Sequence, residues 1–181
     1  MSLSAAAHPD RSHAAPPEEK ESNSRRYAEL NTAFTRLHEP KDRLAHLIEL
    51  ELGRRPADIQ SVPEDAMEYF AQVGPLCREA DQFLANRAAV TSPLLKVQWF
   101  ERGLGLVDRV GELQRTLQVQ QDKIDAELRA MNEAWAAAPP AGSNDRAARL
   151  PLARVEEIYR ALSYITRWRT QLQERFVQLS L

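Results

Sequence analysis

Apolar residues recur at helical spacing along most of this chain, and no run of alternating β-branched residues reads as a strand. Tyr27, Leu30, Phe34 and Leu37 lie three or four apart and share one helical face. Pro40 stops that helix at Glu39, and Leu44, Leu47 and Ile48 begin a second one over Lys41 to Leu52, with Gly53 as its terminator. The first of the pair starts near Pro17 or Glu18, whereas residues 1–20, with Ala5-Ala6-Ala7, Pro16-Pro17 and a charged cluster, read as a flexible segment. A linker over 54–62 leads into a helix from Pro63 to Ala88, with Pro63 at its first position. Its predicted stripe is Met67, Phe70, Val73, Cys77, Ala80 and Leu84, and Gly74-Pro75 is expected to kink it.

Ser92-Pro93 opens the longest helix. Leu106, Val110, Leu113, Leu117, Gln120, Ile124, Leu128, Met131 and Trp135 recur at steps of four or three, a heptad seam with Gln120 as its polar position. The run Pro139 to Asn144 turns the chain. A last helix follows from Asp145 or Pro151 to Leu179, with a stripe of Val155, Ile158, Leu162, Ile165, Leu172, Phe176 and Leu179. The fold class is therefore all-α: two short helices, then an up-down-up bundle of three helices over 63–181. No internal repeat is visible.

Composition narrows the function classes. Lys and Arg total 24 against 26 Asp and Glu, a balance that argues against a nucleic-acid partner. Cys77 is the single cysteine, so no internal disulfide forms and no iron–sulfur cluster can be ligated. No apolar run approaches the roughly 20 residues that span a bilayer. No secretory leader is recognisable, so no membrane is involved and the cytoplasm is the expected compartment. Metal-ligand residue types occur at His8, Asp10, His13, His38 and Cys77, without spacing that builds a site, and no cofactor is expected. There is no nucleophile elbow, phosphate loop or zinc-protease motif. Gly103 and Gly105 are isolated in a helix, where they suit close helix packing. Arg109, Arg115 and Gln120, near the seam, are the residues that would prompt an enzymatic reading, and it would require a deep polar pocket.

His8-Pro9-Asp10 stands upstream of the helix pair divided at Pro40. Together they resemble the second half of a J-domain in the form carried by HscB-type co-chaperones of iron–sulfur cluster assembly. The likeness is close from His8 to about Leu52, and after that it holds in pattern and order. Arg43-Leu44-Ala45-His46-Leu47-Ile48 matches the family's last J-domain helix, with His46 where an aromatic usually stands. Met1 to Ala7 precede His8, so the resemblance implies a J-domain without its first two helices and an impaired J-function.

The resemblance further implies a non-enzymatic adaptor. His8, Pro9, Asp10 and Arg11 would engage an Hsp70-family, HscA-like chaperone and stimulate its ATPase. Ala66, Met67 and Phe70 on the first bundle helix, with Tyr164 on the last, would hold an IscU-like scaffold protein. Met67 and Phe70 stand on the predicted stripe and read equally as core, whereas Tyr164 lies off the stripe made by Leu162 and Ile165. Gly74 and Arg78 occupy positions where the family has glutamates, leaving Glu68 and Glu79 as substitutes. The alternative is a structural or oligomerisation protein, in which the seam and the face of Tyr27, Leu30, Phe34 and Leu37 build a homo-oligomer.

Overall fold

A computed structural model describes residues 16–57, 62–87 and 92–181, and these are helical with no strand among them. The chain divides into two compact units, Met1–Pro56 and Ala57–Leu181. His8, Pro9, Asp10, Arg11 and His13 lie outside the described residues.

In the first unit, α1 spans Pro17–His38 and α2 spans Pro40–Leu52. Helix α1 opens with Pro17 in its first turn, where a missing amide costs nothing, and Glu18 and Glu19 face the positive end of the helix dipole. Residues 17–20 are thus helical and not part of a flexible segment. Glu39 is extended (φ −86°, ψ 131°), as a residue before proline must be, and this separates the two helices. Gly53 ends α2 at φ 64°, a left-handed conformation that glycine adopts without strain, and its N–H donates to the Glu49 carbonyl at 3.0 Å. Helix α2 buries Leu44 and Ile48. Helix α1 buries nothing: Tyr27 and Leu30 are half-buried, and Phe34, 64% exposed, stacks on His38 one turn away at 4.9 Å between ring centroids.

The second unit holds α3 (Glu64–Arg87), α4 (Pro93–Ala130), a short α5 (Asn132–Ala136), a single turn α6 (Arg146–Arg149) and α7 (Leu152–Ser180). Side-chain pairs fix its topology. Gln114 meets Gln173 at 2.9 Å, Gln121 meets Arg169, and Glu127 takes both ends of the Arg154 fork at 2.7 and 3.0 Å, so α4 and α7 run antiparallel. Tyr69 meets Gln120 and Glu79 meets Arg109, so α3 and α4 also run antiparallel. Phe70 lies by Trp168 and Asp81 by Arg175, so α3 and α7 run parallel. The bundle is up-down-up.

The seam of α4 is buried at Leu106, Val110, Leu113, Leu117 and Ile124, with Gln120 half-buried. Beyond Ile124 the predicted seam loosens, and Leu128, Met131 and Trp135 are only half-buried where α4 gives way to α5 at Met131. Ser92 precedes Pro93 as predicted, but its side chain makes no capping bond. Pro63 lies just before α3 rather than at its first position, and α3 continues as α-helix through Pro75. Leu150, extended before Pro151, ends the single turn α6, and α7 starts at Leu152, beside the later of the two expected starts, Pro151, rather than at Asp145.

The stripe of α3 differs from expectation. Ala66, Val73, Leu76, Cys77, Ala80 and Phe83 face the core with Tyr69 packed against it, while Met67 and Phe70 turn outward and Leu84 is half-buried. A helix that meets two neighbours must bury a wide arc, and Tyr69 belongs to that arc because its hydroxyl finds Gln120 on α4 at 3.4 Å.

Leu117 is fully buried on the seam, so Leu117→Ala is expected to cost about 2–5 kcal/mol, read as a lowered urea midpoint. Val119→Ala, two residues away on the exposed side, should stay within about 0.5 kcal/mol.

Candidate protein-interaction surface

Helices α3 and α7 pack side by side, and near the start of α3 their shared face carries four large side chains. Met67 and Phe70, 50% and 52% exposed, stand one turn apart on α3. On α7, Tyr164 and Trp168 are likewise one turn apart, with ring centroids 5.3 Å from each other. Trp168 is only 5% exposed, and its ring also meets Phe70, at 6.5 Å and tilted by 44°. Trp168 therefore joins Phe70 to the half-buried Tyr164 across the two helices, in the tilted geometry that aromatic quadrupoles favour. Sequence periodicity missed Trp168 because Arg167 and Arg169 flank it. The spacing Ile165, Trp168, Leu172 was the signal that could have found it.

Three of the four predicted scaffold-binding residues reach this surface. Ala66 does not: at 1% exposure it is a core residue, facing inward with Tyr69 and Val73, and it cannot be a contact. Of the two acidic substitutes, Glu68 is exposed beside Met67, whereas Glu79 does not join the patch. Glu79 lies about two and a half turns from Phe70, on the opposite side of α3. There it accepts a 2.8 Å bond from Arg109, which holds its carboxyl below the usual carboxylate range. Asp81, on the Phe70 side, is taken by Arg175 at 2.8 Å. The surface is apolar and aromatic, and the carboxylates of Glu79 and Asp81 are both engaged by arginines.

Arg175 also fixes how α7 meets α3. It reaches the Cys77 carbonyl at 3.4 Å and the Asp81 carboxylate, and is itself largely buried. Cys77 lies beneath it in the core, where burial raises the thiol pKa and outweighs the opposing pull of Arg175. That thiol is a packing group, not a nucleophile.

The other candidates separate. His38 stacks on Phe34 and has Glu39 at 3.9 Å, and His46 has Glu49 at 3.9 Å. No group of three metal-ligating residues occurs among the described residues. Arg109 pairs with Glu79 beside an open depression between α3 and α4, Gln120 is engaged by Tyr69, and Arg115 is exposed, so these three do not converge on one pocket. Among the described residues, no helix is long and apolar enough to cross a membrane. Compared with models of protein families, with curated proteins and with solved structures, the chain matches none.

Cys77 should resist a thiol-exchange reagent at pH 7 in the folded protein and react once urea unfolds it. Its pKa is raised by folding, so the stability it contributes is complete below the unfolded thiol value of about 8.5 and declines as pH rises through the higher folded value. Urea midpoints measured from pH 7 to 10 should therefore fall more steeply for the natural chain than for Cys77→Ala.

Proposed function

We propose that this chain is a non-enzymatic adaptor, a co-chaperone of the HscB type, whose bundle holds an iron–sulfur scaffold protein for an Hsp70. The observation that carries the reading is the surface of Met67, Phe70 and Tyr164 joined over Trp168. Large aromatic side chains that are half-exposed yet held by a buried ring are pre-organised for docking, because little rotamer freedom remains to be lost on binding. The surface spans the first and last long helices of the bundle, the placement that the resemblance implies. His8-Pro9-Asp10, with Arg11, would engage the Hsp70, and the ATP hydrolysis would belong to that chaperone. The adaptor's contribution is proximity: one chain carrying both contacts raises the effective concentration of the scaffold at the Hsp70.

One observation favours a second reading, that of an oligomerisation protein. Phe34 and Leu37 lie exposed on α1, a helix that buries none of its own side chains. A self-associating chain would cover them with a second copy.

Calorimetric titration with an iron–sulfur scaffold protein should give a one-to-one complex. Phe70→Ala should weaken it by about 2 kcal/mol, roughly thirtyfold in Kd, and leave the circular dichroism unchanged. Stimulation of an Hsp70 ATPase that disappears in His8→Gln would support the chaperone arm. Absence of both effects, with a dimer that dissociates in Phe34→Ser, would replace this reading with the second.

A further inference from the structure

At the end of the bundle remote from the Phe70 surface, the C-terminal parts of α3 and α7 meet the first turns of α4 around a cavity of about 480 Å³. Its walls are apolar: Phe83 from α3, Trp99, Phe100 and Leu104 from α4, and Leu179 from α7. Phe83 and Trp99 pack at 4.8 Å between ring centroids. Gly103 forms part of the floor, where a Cβ would come within 3.2 Å of the Phe83 ring, so the absence of a side chain keeps α4 close to Phe83. Phe100 and Leu104 are exposed at the mouth, whereas Leu106 and Val110, the next seam positions, are buried.

The charged side chains that line this cavity have one sign. Arg87 and Lys96 line it and are exposed, no Asp or Glu side chain lines it although the terminal residues Ser180 and Leu181 do, and neither cation has an ion-pair partner among the described residues. Arg102, outside the lining, adds a third positive charge over the Trp99 ring, 5.7 Å from its centroid. The chain as a whole carries a formal charge of −2, so this concentration of cations is local. A volume within the roughly 300–1,000 Å³ range of small-molecule sites, apolar walls and a cationic mouth select a ligand with an extended hydrocarbon body and an anionic head.

We propose that this cavity binds a single-chain anionic amphiphile of the fatty-carboxylate class. The chain lies against Phe83, Trp99, Phe100 and Leu104, and the carboxylate sits between Arg87 and Lys96. The proposal is independent of the function read from the α3–α7 face, because the two sites share no residue.

Calorimetric titration of the full chain at pH 8 with octanoate, decanoate and dodecanoate, each below its micelle concentration, tests it. The expected result is saturable one-to-one binding whose Kd falls about fourfold for each added methylene until the cavity is filled. The surface variant Arg87→Glu/Lys96→Glu should keep its circular dichroism and weaken dodecanoate at least tenfold. Dodecyltrimethylammonium, with the same tail and the opposite charge, should bind the natural chain at least tenfold more weakly than dodecanoate. No saturable binding, a Kd independent of chain length, or equal affinity for the cationic amphiphile would each overturn the proposal. So would a dimer in sedimentation that Leu104→Ser dissociates and dodecanoate does not, because a second copy of the chain would then occupy the cavity.

Discussion

Helix α7 is the element on which the bundle depends, because both other long helices pack against it. A single helix can do this only by burying a broad arc, and α7 does so along its length, from Leu152 and Val155 at its start to Leu172 and Leu179 near its end. The burial of those side chains supplies the non-directional part of the association. Direction comes from the polar pairs at the margins of the arc. The Glu127–Arg154 fork ties the start of α7 to α4, and Arg175 ties its last turns to Asp81 and the Cys77 carbonyl of α3. Both arginines hold their partners across helices, so the ties set how far each helix has slid along the next.

That arrangement explains which parts of the fold were legible in the sequence. Boundaries marked by backbone chemistry were: Pro40 after an extended Glu39, Gly53 in the left-handed region, and Pro93 after Ser92 all lie within a residue of their expected places. The seam of α4 was legible as well, because the alternation of four and three from Leu106 to Ile124 admits one buried face. The stripe of α3 was not. Met67-Phe70 and Ala66-Tyr69 are neighbouring diagonals of equal periodicity, and the choice between them rests on Gln120 of α4 and Trp168 of α7, residues about fifty and a hundred positions away in the chain.

The same reasoning applies to the candidate sites. Tyr164 could be placed at the surface from its own helix, since it falls beside the stripe of Leu162 and Ile165. Its link to Phe70 through Trp168 could not, because that link exists only once two helices are parallel and in register. The cationic cavity was invisible for a related reason. It is assembled from the ends of three helices: Trp99 and Gly103 continue the α4 seam, and Phe100 and Leu104 stand beside it, exposed. What distinguishes them is exposure, which periodicity does not encode.

The contact between Tyr69 and Gln120 acts as a key in the heptad seam. Every other buried position on that part of α4 is aliphatic, and aliphatic layers tolerate being exchanged one for another. Were α4 to slip by a heptad against α3 so that Leu113 met the Tyr69 hydroxyl, the Gln120 amide would be carried into an apolar layer, leaving two polar groups without partners at a cost of about 1–3 kcal/mol each. A long 3.4 Å bond adds little attraction of its own. Its effect is to make every competing alignment worse, so that a bundle made mostly of interchangeable leucines and valines has a single register.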